Sequence, residues 1–317
     1  MPHSLPDDLR NASSRRESLL LRAPAKVNLA LSVGPPLRGG ASDGYHPIAS
    51  WMAPIDLCDE LHVTRLEEDR LSRYAIVWHE DAPRKSPIDW SITKDLAVRA
   101  HLLLEEHAGR TLPVQMKLTK RIPVGGGLGG GSSDAAAMLR AVVQLHELEI
   151  EEAKLRELAM KLGSDVAFFL GDDPMVVEGL GEQLSPAAEA GGAVVLLFPE
   201  FGCPTGAVYR AYDASPVELR AEWVRAMAAS GSIDTHSLFN DLAAPAEAVA
   251  PGLAELRSRA SRIAGRPVHV TGSGSTLFAV AADEAEARSL RATLERELSE
   301  CAAVCAALAA KARNEKR

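Results

Sequence analysis

KRIPVGGGLGGGSSDAAA, residues 120–137, is the most informative stretch of the chain. Six of the seven residues 125–131 are glycine, and each gives up extra chain entropy when it is ordered. Such a run has a physical use. Without Cβ atoms, successive backbone N–H groups can close around phosphate oxygens. A helix that follows turns its positive end on the same anion. Both neighbours are well patterned, so a flexible linker does not fit here. Upstream, Val114, Met116 and Leu118 alternate with Gln115, Lys117 and Thr119, the period of a strand. Downstream, Met138, Leu139, Val142 and Leu145 share a helical stripe. Ser132 and Ser133 add hydroxyls at the start of that helix, and one of them, taken as Ser133, could reach a Mg²⁺ bridging the phosphates. A Walker loop would need Gly-Lys-Ser/Thr at its end, and no Lys follows. Gly125, Gly127 and Gly130 satisfy G-x-G-x-x-G, which is weak alone. A dinucleotide site also wants a second strand and an acidic residue about 20 positions on. The chain instead offers a second helix at about 151–162, with Gly163 as its stop.

Further out, Val27, Leu29, Leu31 and Val33 alternate with Lys26, Asn28, Ala30 and Ser32. This predicts a strand with one apolar face and with Lys26 and Asn28 together on the other. A Pro/Gly-rich loop covers 34–47. Residues 92–107 predict a helix with Leu96, Ala100, Leu103, Leu104 and His107 on its stripe and Ser91 or Thr93 as N-cap. Strands are expected at 174–178 and 193–198, and a helix flanked by loops within 213–238. Residues 267–280 predict two strands joined by a Gly/Ser turn, 283–298 an amphipathic helix, and 301–310 an Ala-rich helix. Helices and strands mixed without a strict βαβ rhythm argue an α+β fold.

Composition excludes several classes. At 317 residues the chain suggests two domains. A net charge of −8 argues against coating nucleic acid. Hydrophobic residues at 46% exclude disorder over the whole length. No apolar run approaches the ~20 residues that cross a bilayer. Residues 1–18 are expected to form a short disordered tail. Cys58, Cys203, Cys301 and Cys305 contain no CxxC pair and form no disulfide framework. Cys301 and Cys305 would share a helix face, with no His beside them to complete a metal site. A reducing, cytoplasmic setting is expected.

PVGGGLGGGSSDAAA, residues 123–137, closely resembles the ATP loop of the GHMP kinases, which phosphorylate small molecules. Four more segments resemble that family in order and spacing, over about residues 20–300. They are APAKVNL at 23–29, DGYH at 43–46, GSDV at 163–166 and TGSG at 271–274. The resemblance implies a two-lobed α+β fold, with a ribosomal-protein-S5-like N-terminal lobe at 19–185 and a ferredoxin-like lobe at 186–317. It implies ATP binding by Pro123, Val124, Gly125, Gly126, Gly127, Leu128, Gly129, Gly130, Gly131, Ser132 and Ser133, with Mg²⁺ required. Asp165 would be the general base and Lys26 would stabilise the transferring phosphoryl group. Taken on its own, Asp165 reads more readily as a helix cap, and Lys26 as a solvated strand lysine.

Asp-Gly-Tyr-His with Lys-x-Asn resembles the branch whose acceptor is a cytidine diphosphate-linked methylerythritol, in the making of isoprenoid precursors. There Tyr45 would stack on cytosine, His46 would bond its polar edge, and Asn28, Thr205 and Tyr209 would line the rest. A kinase of the mevalonate or homoserine type, or a non-catalytic nucleotide binder, are the alternatives. No nucleic-acid or membrane partner is expected, and the chain would be a monomer or weak homodimer. Two positions depart from the family pattern. Asp95 stands where the family usually has Asn. The resemblance makes it an ATP-binding residue, but a carboxylate there would be repelled by the triphosphate unless Lys94 or Mg²⁺ offsets it. Ala167 stands where the family more often has Pro.

Overall fold

The structure, a computed structural model, describes residues 17–308. Residues 1–16 of the expected tail lie outside it, as does the basic end at 311–317. Seven strands build the first sheet. Its centre is an antiparallel pair, β1 (Ser18–Val33) and β2 (Ile48–Arg65). The outer half of β2 carries β4 (Val114–Lys120), which pairs in parallel with β3 (Arg73–Trp78). Its inner half carries β5 (Met175–Gly179), followed by β6 (Gln183–Pro186). Three helices, α1 (Leu96–Ala108), α2 (Gly130–Leu145) and α3 (Glu152–Leu162), bury their apolar stripes with this sheet in one core.

The second sheet has the order β11-β7-β10-β9 and is antiparallel throughout. Its strands are β7 (Ala193–Phe198), β9 (His269–Val270), β10 (Leu277–Ala281) and β11 (Ala302–Ala307). Strand β7 is apolar on both faces because both are covered. Val194, Leu196 and Phe198 meet Val27, Leu29 and Trp51 of the first sheet in a shared core. Val195 and Leu197 face the core that holds α4 (Thr205–Tyr212), α6 (Ala243–Val249), α7 (Gly252–Ala264) and α8 (Glu284–Glu297). Helix α5 (Ala221–Ser230) packs into the inter-sheet core, and the short β8 (Phe239–Asn240) joins the first sheet beside β1. Among the described residues no helix is long and apolar enough to cross a membrane.

Several expectations need correction. Residues 302–307 form a strand where Ala content predicts a helix. Each of the six faces a partner on β7, so sheet pairing overrides a weak propensity. Cys301 and Cys305 therefore lie about 13 Å apart along extended chain, too far to share an ion. Asp95, rather than Ser91 or Thr93, caps α1: its carboxylate accepts from Ala97 N and Val98 N. The stripe of α1 turns accordingly, burying Ala97, Ala100, His101 and Leu104 and leaving His107 exposed. Helix α3 ends at Gly163 as expected, but with extended backbone (φ 169°) rather than a left-handed cap.

Candidate active site

Two register shifts in β1 build the floor of the site. They fall between Pro24 and Ala25 and between Asn28 and Ala30, where Leu29 is left without a partner on β2. A bulge re-aims the side chains around it. Strict alternation would put Leu31 on the face of Val27. The extra residue instead brings Leu31 to the cleft with Lys26 and Asn28. Nor is that face solvated, for Lys26 is 3% and Asn28 2% exposed.

Above the floor, residues 122–132 bend over a cleft of about 630 Å³ between the two sheets, and α2 opens at its far side. All the loop residues expected to bind ATP line it except Ser133, which is buried in the first turn of α2. The loop is locked to the second sheet. At Gly127 (φ +76°) a Cβ would stand 2.3 Å from the Thr271 carbonyl oxygen. Thr276 N bonds the Gly126 carbonyl at 3.3 Å and Lys26 N that of Leu128 at 3.0 Å. Glycine is required at 127 by both backbone angle and contact.

Lys26 Nζ donates to Asn28 Oδ1 at 2.6 Å and to the Gly127 carbonyl at 2.9 Å. Asp165 Oδ2 stands 3.8 Å from it, on the segment that follows α3. The Asn28 amide is oriented by its neighbours. Its Nδ2 donates to Ser50 Oγ at 2.8 Å, so its oxygen must face Lys26. Burial pushes the Lys26 ammonium below its ordinary pKa, while the Asp165 charge pulls it back up. The Tyr209 phenol also lines the cleft, and burial, helped by Asp165, pushes it up to about 12.

Behind the glycine loop lies a second buried lysine. Lys120 Nζ donates to Asp59 Oδ2 and Asp134 Oδ2, each at 2.6 Å. Burial pulls its pKa down, yet the two carboxylates outweigh this and hold it above the ordinary value. Asp59 Oδ1 accepts from Ile122 N at 2.8 Å, which ties the triad to the root of the loop.

The remaining expected residues divide. Thr205, at the start of α4, bonds Ser273 Oγ at 2.9 Å, and Tyr209 sits one turn on; both line the cleft. The His46 ring packs on Tyr209 with centroids 4.9 Å apart. Neither His46 nor Tyr45 lines the cleft itself, and Tyr45 is 62% exposed. Asp95 lines it with its carboxylate already engaged by two helix N–H groups and by Trp90 Nε1 at 3.3 Å. A helix N-terminus favours that charge. Sequence reading missed Trp90 and Ser50, and took Gly272 and Ser273 as motif without a role. Trp90 had a signal: an aromatic residue in a Pro/Ser loop of a chain that has 4% aromatics.

An anion loop facing a buried ammonium and a carboxylate between two α+β halves is the equipment of an enzyme that moves phosphoryl groups. This chain belongs to the GHMP kinase family, small-molecule phosphotransferases with ATP as donor. The family's N-terminal domain matches residues 95–172 and its C-terminal domain residues 217–300. The 4-diphosphocytidyl-2-C-methyl-D-erythritol kinase of Polaromonas sp. (strain JS666) is 35% identical over 261 residues, 81% of this chain and 82% of that one. A crystal structure of 4-(cytidine 5'-diphospho)-2C-methyl-D-erythritol kinase superposes with a TM-score of 0.72 at 35% identity, covering 92% of this chain and 99% of that one. Homoserine kinase from Cytophaga hutchinsonii shares the fold at a TM-score of 0.65 and 18% identity, over 92% of this chain and 94% of its own.

Proposed function

We propose that the enzyme transfers the γ-phosphoryl group of ATP to the 2-hydroxyl of 4-diphosphocytidyl-2-C-methyl-D-erythritol, a step toward isoprenoid precursors. The observation that carries this reading is the 3.8 Å approach of Lys26 to Asp165 on the floor of a cleft roofed by the glycine loop. The fold brings these two residues, 139 positions apart in sequence, together at the cleft. The backbone N–H groups of the loop and of the start of α2 hold the phosphates. The acceptor hydroxyl approaches Asp165, which takes its proton as oxygen bonds to the γ-phosphorus and the bridge to ADP breaks. Lys26 offsets the charge that spreads over the transferring group. Tyr209, with its pKa near 12, stays neutral beside Asp165 and does not compete for the proton.

The site also fits Mg²⁺. Ser133 Oγ and Asp134 Oδ1 are buried without a hydrogen-bond partner among the described residues, at the helix start that faces the phosphates. No group of three His, Cys, Asp or Glu among the described residues gathers into a cage. This agrees with an ion that rests mainly on phosphates and water. Ser133 would hold it, with Asp134 in reach through water, and Mg²⁺ would supply neutralisation of the phosphate charge. On the acceptor side, His46 and Tyr209 form the aromatic corner for a cytosine ring. Incubation with Mg-ATP and the cytidylyl methylerythritol should raise the mass of that compound by one phosphate. No gain, with phosphate appearing instead on mevalonate or homoserine, would replace this acceptor.

A further inference from the structure

His46 is held by a residue that no motif points to. Its Nε2 lies 2.7 Å from Asp213 Oδ1. Its ring is fixed from two sides by Tyr209 at 4.9 Å and Tyr212 at 5.7 Å, centroid to centroid. Asp213 is the C-cap residue of α4. The last turn of a helix carries partial negative charge and disfavours a carboxylate, so helix stability does not explain an Asp there. The imidazole does.

We infer that Asp213 sets the tautomer of His46 and thereby makes this corner specific for cytosine over uracil. The inference rests on the proposed acceptor. A carboxylate at Nε2 accepts a hydrogen bond, so Nε2 carries the proton and Nδ1 of the neutral ring is left as an acceptor. Among the described residues Nδ1 has no hydrogen-bond partner, and it is not among the sealed, unsatisfied atoms. An acceptor at that point matches the exocyclic amino group of cytosine, which donates. Uracil presents a carbonyl oxygen at the same place, the pattern that thymine shows at its O4. Two acceptors then face each other, and one is left without a donor. Asp213 touches neither the base nor the phosphates in this account. It acts through His46 and is a positioning residue.

The test compares cytidine- and uridine-diphosphate-linked methylerythritol as acceptors for wild type, Asp213→Ala, Asp213→Asn and His46→Ala. Wild type should prefer the cytidine compound. Asp213→Ala should shrink that preference in kcat/KM by about tenfold, the size of one discriminating hydrogen bond. The change should sit in the acceptor KM, with kcat and the KM for ATP nearly constant. Asp213→Asn, which keeps an oxygen acceptor, should restore part of the preference. In the absence of substrate, the ¹⁵N shifts of the His46 ring should show the Nε2–H form in wild type and a mixture in Asp213→Ala. Adding Asp213→Ala to His46→Ala should change nothing further. A wild-type preference that survives Asp213→Ala with unchanged ring shifts would overturn this inference alone. A wild type without preference, or inactive on the cytidine compound, would overturn the acceptor assignment and this inference together. An equal loss in kcat and in ATP binding would reduce Asp213 to a structural part of α4 and overturn the inference as well.

Discussion

Two buried lysines flank the glycine loop, and they are held in opposite ways. Lys120 touches two carboxylates at 2.6 Å and has its pKa raised. Lys26 bonds two neutral oxygens, keeps its carboxylate at 3.8 Å, and has its pKa lowered. A charge neutralised at contact distance has little field left to offer a ligand. One held by amide and carbonyl oxygens keeps most of its field pointed into the cleft, where low polarity strengthens it. Lys120 therefore braces the root of the loop, and Lys26 keeps its charge available to a phosphoryl group.

The contrast can be broken in several places. Asp165→Asn, at the proposed base, should lower kcat by roughly 10²–10⁴-fold while ATP binding and thermal stability stay near wild type. A single-turnover assay beside a nucleotide titration reads both, and full turnover would remove Asp165 from the chemistry. Lys120→Met should act on stability, by about 3–5 kcal/mol, because two buried carboxylates lose their counter-ion. Denaturant unfolding measures it, and a small loss there with a large loss of kcat would reverse the roles of the two lysines. Gly127→Ala should cost about 1–3 kcal/mol through a left-handed backbone angle and a collision with Thr271, and should weaken ATP binding more than acceptor binding. The smallest effect is in the pH profile. The alkaline limb of kcat/KM, which reports the free enzyme, should fall below the ordinary lysine value of 10.5 as Lys26 loses its proton.

Linkage gives the same two residues opposite slopes. The unfolded chain holds the Lys26 proton more tightly than the fold does. The stability linked to Lys26 therefore rises with pH from its lowered pKa up to 10.5, while activity falls. For Lys120 the fold holds the proton more tightly. Its contribution is complete below 10.5 and is lost as pH climbs through the raised value. Stability profiles of Lys26→Met and Lys120→Met should differ from wild type in opposite directions across this range, and parallel shifts would contradict the contrast.

Much of the cleft is legible because its elements are local. The glycine run, the alternation at 114–119 and the stripe of α2 each use a few neighbouring residues, and each forms where the pattern puts it. Misreadings cluster where a distant partner decides. Ala302–Ala307 has helical composition and becomes a strand because β7 offers it an edge. Leu31 is core as its pattern says, but it leaves the face of Val27 for the core of the second sheet and the edge of the cleft because Leu29 is a bulge. Asp95 differs from these two, for its partners are local: it lines the cleft and also caps α1, bonded to an indole five residues earlier.

The phosphate loop, the α+β class and the segments that supply a carboxylate and an ammonium are already written in the order of residues. These follow from local periodicity, from missing Cβ atoms and from motif chemistry. The tertiary structure alone decided that Lys26 and Asp165 stand 3.8 Å apart, that Lys120 is spent on Asp59 and Asp134, and that Asp213 grips His46. Charge, field and tautomer depend on distance and burial between residues far apart along the chain, and those exist only once the two sheets have closed on their shared core.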